Sequence, residues 1–249
     1  MRESFDVVKK IKSLESFYSV SDAAIQVLAS RCRYVDVAKG CFLFHSNQGA
    51  ENVYFVLYGS FKLQDGESLK DIVIYDFAGR GEFFGMIHSI LRVPTYPFSA
   101  VANEDSAVLA VPLSDFNELL TNHSDFCDLL QNQIAQRFNE IVHDRKMSRL
   151  MVSQKLADFL LRTLKRPSLS CGARIAIPLT RVDLARKIVT QEETVIRLLT
   201  AWTRDGWITT CHKHIEVLDQ AALEKIISEV VPKLALGDVV LARGQNRIR

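Results

Sequence analysis

The sequence predicts an α+β fold, with an antiparallel β-roll first, a long helix next and a small helical domain with a β-hairpin last. Three stretches of the chain that differ in glycine content and apolar spacing predict these three parts. From Cys32 to Pro112, short apolar runs are broken by glycine at 40, 49, 59, 66, 79, 81 and 85. From Ser114 to Lys165 there is neither glycine nor proline, and apolar residues recur at helical spacing. Short helices and strands then follow the break "KRPSLSCGA".

The composition is that of an ordinary globular protein. The chain has 249 residues, of which 48% are hydrophobic and 24% are charged, enough for one large domain or two smaller ones with a proper core. The net charge is only +2, so any basic surface that binds nucleic acid must be local.

Cysteine usage and the N-terminus predict the compartment. The five cysteines are odd in number and form no C-x-x-C pair, which argues against a disulfide framework or a zinc ribbon. The start "MRESFDVVKKIK" has charges where a signal peptide needs an apolar core, and no apolar run is long enough to cross a bilayer. We therefore expect a soluble cytoplasmic protein with no membrane contact.

The first domain, predicted over residues 1–120 with flanking helices, is the β-roll. "NVYFVLYGSFKLQDGES" reads as a strand, a Gly-Ser break, a second strand and an Asp-Gly hairpin signal. "KDIVIYDFAGRGEFFG" and "SAVANEDSAVLAVP" continue the rhythm. Many short strands at close spacing are typical of an antiparallel roll or jelly roll.

The long helix is predicted over residues 121–152. Its apolar stripe has two interpretations: it packs on the roll, or it pairs with its copy in a second subunit as a short coiled coil does. The heptad pattern is too imperfect to decide between them. The stripe consists of Leu130, Ile134, Phe138, Ile141 and Val142.

The last domain is predicted over residues 153–235. Thr180 and Asp183 form a T-x-x-D capping box that opens the helix "TRVDLARKIV". A tight break precedes the helix "QEETVIRLLTAWTRDG", which ends at Gly206, and "WITTCHKHIEVLD" forms a hairpin. This order is that of a winged helix-turn-helix. Residues 236–249 show no periodicity and are predicted to be a loose basic extension.

The second helix of such a motif presents its first turns to the DNA major groove. Its core positions are Val195, Leu198, Leu199 and Trp202, which leaves a polar N-terminal face. That face is also explained as a solvated helix end without a binding role, because acids at a helix N-terminus are favoured by the helix dipole. Between residues 174 and 213, seven Lys/Arg against four Asp/Glu are consistent with phosphate contacts.

"LTRVDLARKIVTQEETVIRLLTAWTRDGWIT" resembles the helix-turn-helix of the cyclic-AMP receptor protein and fumarate–nitrate regulator (CRP/FNR) family of bacterial transcription factors. "KGCFLF", "VYFVLYGSFKL", "GRGEFFG" and "FSAVA" resemble the cyclic-nucleotide-binding-like roll of the same family, in the same order. The resemblance spans roughly residues 15 to 220. It implies that the long helix is the dimer interface, through Leu130, Ile134, Phe138 and Ile141.

The resemblance also implies DNA contacts on the second helix. Glu193 and Arg197 match positions that touch base edges, and Thr194 matches a phosphate contact. Glu192 departs from the family, where arginine or serine is common, and indicates altered specificity or weaker binding. The predicted DNA-binding residues are Thr180, Arg181, Gln191, Glu192, Glu193, Thr194, Arg197 and Lys213.

The ligand segment of the roll also departs from the family. Relatives that bind cyclic AMP carry a glutamate for the ribose and an arginine for the cyclic phosphate; the matching residues here are Met86 and Phe98. Cyclic AMP bound in the usual way is therefore disfavoured. A vestigial roll and a changed apolar or aromatic ligand site both stay open, with Arg80 or Arg92 as a substitute cation. The predicted pocket residues are Phe83, Phe84, Gly85, Met86, Phe98, Ser99 and Ala100.

No cofactor motif is present, so the cofactor is unknown. Cys32 and Cys41 do not match the cysteine set of the iron–sulfur members, whereas a haem ligand among the histidines stays open. His212 and His214 are expected on one face of a strand, but two metal ligands without a third are weak evidence, and no metal is predicted.

The function predicted from these features is a dimeric, sequence-specific DNA-binding regulator whose roll senses an unknown effector. The implied partners are double-stranded DNA with a palindromic operator, RNA polymerase and a second copy of the chain. The alternative is a family member that has lost DNA binding and acts as an effector or scaffold. An enzyme is not expected, because no nucleophile–base pair, metal set or phosphate-binding loop is present.

Overall fold

A computed structural model describes residues 2–66, 68, 71–87, 89 and 93–228. It confirms the predicted fold class, with a β-roll, a long helix and a C-terminal helix-turn-helix in that order. The predicted basic extension over residues 236–249 lies outside the described residues. Within the described ranges, no helix is both long and apolar enough to cross a membrane.

The β-roll consists of two antiparallel sheets around an aromatic interior. Its strands are β1 (Arg33–Val37), β2 (Phe42–Phe44), β3 (Asn52–Tyr58), β4 (Phe61–Asp65), β5 (Val73–Ala78), β6 (Phe83–Phe84), β7 (Ser99–Ala102) and β8 (Ser106–Pro112). One sheet has the order β1-β8-β3-β6 and the other β2-β7-β4-β5. Strands β3 and β8 are buried almost throughout, because the roll interior covers one face and helices cover the other.

Those helices come from both ends of the roll. They are α1 (Arg2–Lys12), α2 (Asp22–Arg31) and α3 (Leu113–Asn122), with a 3-10 turn at Glu15–Phe17. Phe17, Phe116 and Phe126 pack with Phe55 and Phe83 of the sheet, with ring centroids 4.7–6.2 Å apart. Aromatic pairs at these separations stabilise a core beyond simple area burial.

The roll interior is filled by its own aromatic side chains. Phe44 stacks on Tyr96 with ring centroids 3.8 Å apart, and Tyr54, Phe61 and Phe84 surround this pair. All five are buried. The Tyr96 hydroxyl donates a 2.8 Å hydrogen bond to the carbonyl of residue 52, so its one polar atom is satisfied inside the core.

The glycine-free stretch forms three helices. They are α3, α4 (Ser124–Met147) and α5 (Val152–Leu164). Helix α4 thus ends before the predicted boundary at residue 152. Its hydrophobic residues Phe126, Leu129 and Leu130 are buried against the roll, which fixes the N-terminal half of the helix on this protomer.

The C-terminal domain is a winged helix-turn-helix. Its elements are β9 (Ser170–Cys171), β10 (Arg174–Ile175), α6 (Arg181–Ile188), α7 (Glu192–Arg204), β11 (Ile208–Cys211), β12 (His214–Val217) and α8 (Gln220–Ser228). The small sheet has the order β9-β10-β12-β11. Its core extends into the roll, because Ile74 and Phe77 of β5 belong to the same buried cluster as Leu184 and Leu199.

Candidate functional site

Helix α7 presents one apolar face to the domain core and one polar face to solvent. Val195, Leu199 and Trp202 are at most 4% exposed, as their spacing predicts. The opposite face is exposed and begins with the acids of the first turn. Its members are Gln191, Glu192, Glu193, Ile196, Arg197 and Thr200.

The charged side chains of this face are not used inside the protein. Among the described residues, Glu192, Glu193 and Arg197 make no hydrogen bond or ion pair. A carboxylate can accept a hydrogen bond from cytosine N4, and a guanidinium can bind guanine O6 and N7 in a bidentate manner. Glu193 and Arg197 therefore present an acceptor and a donor one helical turn apart on this exposed face.

Ile196 was not among the predicted DNA-binding residues, although it is exposed and lies between Glu193 and Arg197 in the sequence. Its side chain is 45% exposed, whereas the neighbouring Val195 is fully buried. The signal was present in the sequence, because position 196 is off the core spacing of 195, 199 and 202. An exposed aliphatic side chain on a reading face suits the thymine methyl group.

The helix that precedes α7 starts at the predicted capping box. Thr180 Oγ1 accepts from the amide of Asp183 at 3.0 Å, and the Asp183 carboxylate accepts from the amide of Thr180 at 3.1 Å. The turn between α6 and α7 contains Val189 at φ 55°, in the left-handed region, with 69% exposure. A β-branched residue is strained there and gains little from packing.

The hairpin of the wing carries the remaining predicted contact. Lys213 is exposed, and its carbonyl accepts a 2.7 Å hydrogen bond from the amide of Leu179. The prediction that His212 and His214 share one strand face is wrong. His212 and Lys213 form the turn with φ of 49° and 68°, and only His214 lies in β12. Positive φ at both central positions is the geometry of a two-residue type I′ hairpin turn, which removes His212 and Lys213 from the strand alternation.

The apolar stripe of α4 splits into two parts. Leu130 is 2% exposed and packs within the core of its own protomer. Ile134, Phe138 and Ile141 are 37%, 63% and 66% exposed. Such a continuous apolar strip on a protein surface is a feature of interaction sites.

The predicted pocket residues lie at one end of the roll. Phe83, Phe84, Gly85, Met86 and Phe98 line one cavity of about 130 Å³ between the roll, α4 and α6. Ser99 and Ala100 do not line it: Ser99 Oγ accepts from the amide of residue 46, and Ala100 is buried in the aromatic interior. Gly85 has φ 73°, so a side chain at this position would be strained.

The cation near this cavity is not one of those predicted. Arg80 donates to Ser13 Oγ at 3.3 Å, away from the cavity, and Arg92 lies outside the described residues. Arg137 of α4 lines the cavity instead. Its guanidinium donates to Asp76 at 3.0 Å and Glu82 at 3.2 Å. Local spacing could not identify Arg137, because its partners are 61 and 55 residues away.

A part-buried ionic cluster beside the cavity joins the roll to the C-terminal domain. We call it the junction cluster; it consists of Asp76, Glu82, Arg137, Glu140 and Arg166. The Arg166 guanidinium donates to Asp76 at 2.7 Å, Glu82 at 2.7 Å and Glu140 at 3.0 Å. Although burial opposes ionisation, Arg166 and Arg137 lower the pKa of Asp76 to about 2. Burial raises the pKa of Glu140, and Arg166 partly offsets that effect.

Further contacts fix the helix-turn-helix on the roll. Lys62 of β4 donates to the buried Asp183 at 3.0 Å, and Asn103 donates to the carbonyl of residue 178 at 2.7 Å. Lys187 of α6 donates to the carbonyl of residue 75 at 2.6 Å and to Asp144 of α4 at 2.9 Å. The roll, the long helix and the helix-turn-helix are thus held together by charge-assisted hydrogen bonds.

Comparisons with known proteins agree with this architecture. The cyclic nucleotide-binding domain family matches residues 34–123, and the Crp-like helix-turn-helix domain family matches residues 154–226. The chain belongs to the CRP/FNR family of transcriptional regulators. As a CRP/FNR regulator it is a DNA-binding transcription factor and not an enzyme.

Two CRP/FNR relatives have names that state the same function. The chain is 25% identical over 201 residues to the transcriptional regulatory protein btr of Bordetella pertussis, covering 78% of this chain and 81% of the relative. It is 27% identical over 192 residues to the transcriptional activator protein anr of Pseudomonas aeruginosa, with 74% and 76% covered. The structure of FixK2 from Bradyrhizobium japonicum matches with a TM-score of 0.69 at 20% identity, covering 78% and 96%, and supports the fold.

Proposed function

We propose that this protein is a homodimeric, sequence-specific regulator that reads DNA with the polar face of α7 and whose roll binds an effector other than cyclic AMP. The exposed polar face of α7 is the observation that supports DNA reading. Glu193 and Arg197 are exposed and unused inside the protein, while the apolar face of the same helix is buried.

The reading groups have different roles. Arg197 suits guanine, Glu193 suits cytosine, and the exposed Ile196 between them suits a thymine methyl group. Thr180, Arg181, Gln191, Thr194 and Lys213 surround this face as the proposed supporting contacts. Glu192 adds a negative charge near the phosphates, which lowers affinity for every DNA sequence.

Dimerisation uses the exposed part of the α4 stripe. Ile134, Phe138 and Ile141 supply three adjacent apolar side chains that remain 37–66% exposed in the described protomer. A two-fold dimer presents two α7 helices to two half-sites one or more DNA turns apart, which requires a palindromic operator. Contact with RNA polymerase remains a prediction.

The dimer is tested by sedimentation. Ile134→Glu with Ile141→Glu should give monomers, because burying unpaired charge at an interface is costly. Tyr18→Glu with Leu218→Glu is the matched control, since both side chains are exposed and lie off this stripe. A double α4 variant that sediments as the wild type does would place the interface elsewhere.

Cyclic AMP is named as the activator of relatives such as CRP of Pasteurella multocida, which is 23% identical over 186 residues. In this chain, Met86 and Phe98 replace the polar ligands, and the cavity of about 130 Å³ is below the roughly 300–1,000 Å³ of sites for larger ligands. A buried phosphate without a dedicated cation carries an uncompensated desolvation cost. These features argue against cyclic AMP in the roll.

Sequence-specific binding is tested by fluorescence anisotropy. DNA is first selected from a random pool on the purified protein, and the selected duplex is then compared with a scrambled duplex between 50 and 300 mM salt, a range in which purely electrostatic binding falls by orders of magnitude. We expect the selected duplex to retain an advantage of about a thousandfold or more. Equal affinities for the two duplexes at every salt concentration would contradict base reading.

A further inference from the structure

The cavity at the end of the roll has the size of one small ring. Its volume is about 130 Å³. An apolar protein cavity of about 150 Å³ holds benzene, whereas sites for larger ligands are about 300–1,000 Å³. A single aromatic ring therefore fits without a change in the walls, and a nucleotide does not.

Most of the wall is apolar, and much of it is aromatic. Phe83, Phe84 and Met86 are at most 4% exposed, so these walls are fixed by the packing of the roll and need no rearrangement to receive a ligand. Offset or edge-to-face contacts with phenylalanine rings favour an aromatic ligand over an aliphatic one. The apolar wall residues include Leu63, Tyr75, Phe83, Phe84, Met86 and Phe98, and Ile141 of the α4 stripe lines the rim.

The polar end of the cavity carries more acids than bases. Among the described residues, three carboxylates (Asp76, Glu140 and Asp144) and two cations (Arg137 and Lys187) line it. Both cations already donate to carboxylates, Arg137 to Asp76 at 3.0 Å and Lys187 to Asp144 at 2.9 Å. An anionic ligand would have to displace one of these partners, and Glu140, which accepts from Arg166 at 3.0 Å, offers it no donor.

We propose that this cavity binds an uncharged compound with one aromatic ring and that this compound is the effector of the roll. The identification as effector rests on the proposed regulatory function, but binding itself does not. The effector thus has the size of one aromatic ring, carries no charge and binds in the cavity at the end of the roll.

Binding is tested by calorimetry at pH 7 on the full-length protein with two probes of similar size. Phenol is neutral at this pH and benzoate is an anion, so the pair separates charge from shape. We expect phenol to bind one site per chain with a Kd of about 1 mM or tighter, within what seven non-hydrogen atoms can supply. Benzoate and cyclic AMP should bind at least about tenfold more weakly.

Two outcomes overturn the proposal. Phenol that does not bind up to about 10 mM would show that the walls close the cavity in solution. Benzoate or cyclic AMP that binds as tightly as phenol would show that the acids at the polar end do not select against anions. Each outcome is a binding result, so it stands apart from any failure of DNA recognition.

A change in cavity size locates the site. Phe98→Ala removes one ring from the wall and should let the larger 2-naphthol bind at least about tenfold more tightly than it binds the wild type. Phe42→Ala is the matched control, because Phe42 is 48% exposed and does not line the cavity. An equal gain in 2-naphthol affinity in both variants, or a gain in neither, would show that these ligands bind outside this cavity.

A second variant tests the same site in the opposite direction. Met86→Trp should fill the cavity and weaken phenol binding at least about tenfold. Circular dichroism and the thermal midpoint of each variant show whether it is folded. If Met86→Trp does not fold, the gain of 2-naphthol binding by Phe98→Ala still decides the question.

Discussion

The reading face of α7 and the junction cluster are both charged, but they use their charges in opposite ways. On α7, Glu193 and Arg197 are exposed and have no partner among the described residues. In the junction cluster, Arg166 alone reaches three carboxylates at 2.7–3.0 Å, with 14% of its side chain exposed. One set of charges is available to another molecule, and the other is consumed within the chain.

This difference separates charges that stabilise the fold from charges that are available for recognition. A count of charged residues cannot make that distinction. Buried ionic groups become costly when one partner is removed, because the remaining charges lose their compensation. Removing an exposed charged group changes the free energy of unfolding little. It weakens DNA binding strongly where that group contacts a base edge. The same substitution, arginine to alanine, should therefore affect unfolding in one region and DNA affinity in the other.

The largest effect is expected at Arg166. Arg166→Ala should lower the free energy of unfolding by about 3–5 kcal/mol, because the part-buried Glu140 is left without a cation and Asp76 and Glu82 keep only Arg137. Urea denaturation followed by circular dichroism measures this loss. Arg204→Ala, at a position where the side chain is 77% exposed, is the control, with an expected change below about 1 kcal/mol. Comparable losses in both variants would remove the distinction between the two regions.

The next effect is expected on DNA. Arg197→Ala should weaken binding to the selected duplex by about 1–3 kcal/mol and relax preference at one guanine. Its free energy of unfolding should stay within about 0.5 kcal/mol of the wild type. Anisotropy titrations on selected and scrambled duplexes measure the effect, with Arg204→Ala on the same helix as the control. A uniform loss on both duplexes would make Arg197 a phosphate contact.

Acid should weaken the junction cluster. The pKa of Asp76 is lowered to about 2 in the folded protein, against about 3.9 in an unfolded chain. The stability from this carboxylate is therefore present above about pH 3.9 and is lost as the pH falls towards 2, a change of about 2–3 kcal/mol. Urea midpoints between pH 6 and pH 2 measure it. Asp76→Asn should be less stable at pH 6 and should show a shallower decline, whereas parallel curves would contradict the assignment.

The smallest effect concerns Ile196. Replacing the contacted thymine by uracil removes one methyl group and should weaken wild-type binding by about 0.8 kcal/mol, the value of one buried carbon. Ile196→Ala should bind the two duplexes equally, because its side chain is too short to reach the methyl group. Uracil at a position outside the half-sites is the control. A wild-type protein that does not distinguish uracil from thymine at any position would remove Ile196 from the reading face.

Short-range patterns predicted the local structure well. The capping box of Thr180 and Asp183, the buried Val195, Leu199 and Trp202, and the order of roll and helices are all confirmed. The residues of the junction cluster escaped prediction, because the contact of Arg166 with Glu82 spans 84 residues and no periodicity relates such positions. Leu130 illustrates the same limit, since only the packed structure distinguishes it from Ile134 on one helical stripe.

The position of Lys187 ties two equilibria together. This lysine lines the cavity of the roll and belongs to α6, one turn away from the reading helix. If an occupant of the cavity changes the DNA affinity by some factor, thermodynamic reciprocity requires operator DNA to change the affinity of the occupant by the same factor. The operator is then itself an effector of the cavity. A ligand titration carried out with and without the selected duplex measures that factor from the side of the small molecule.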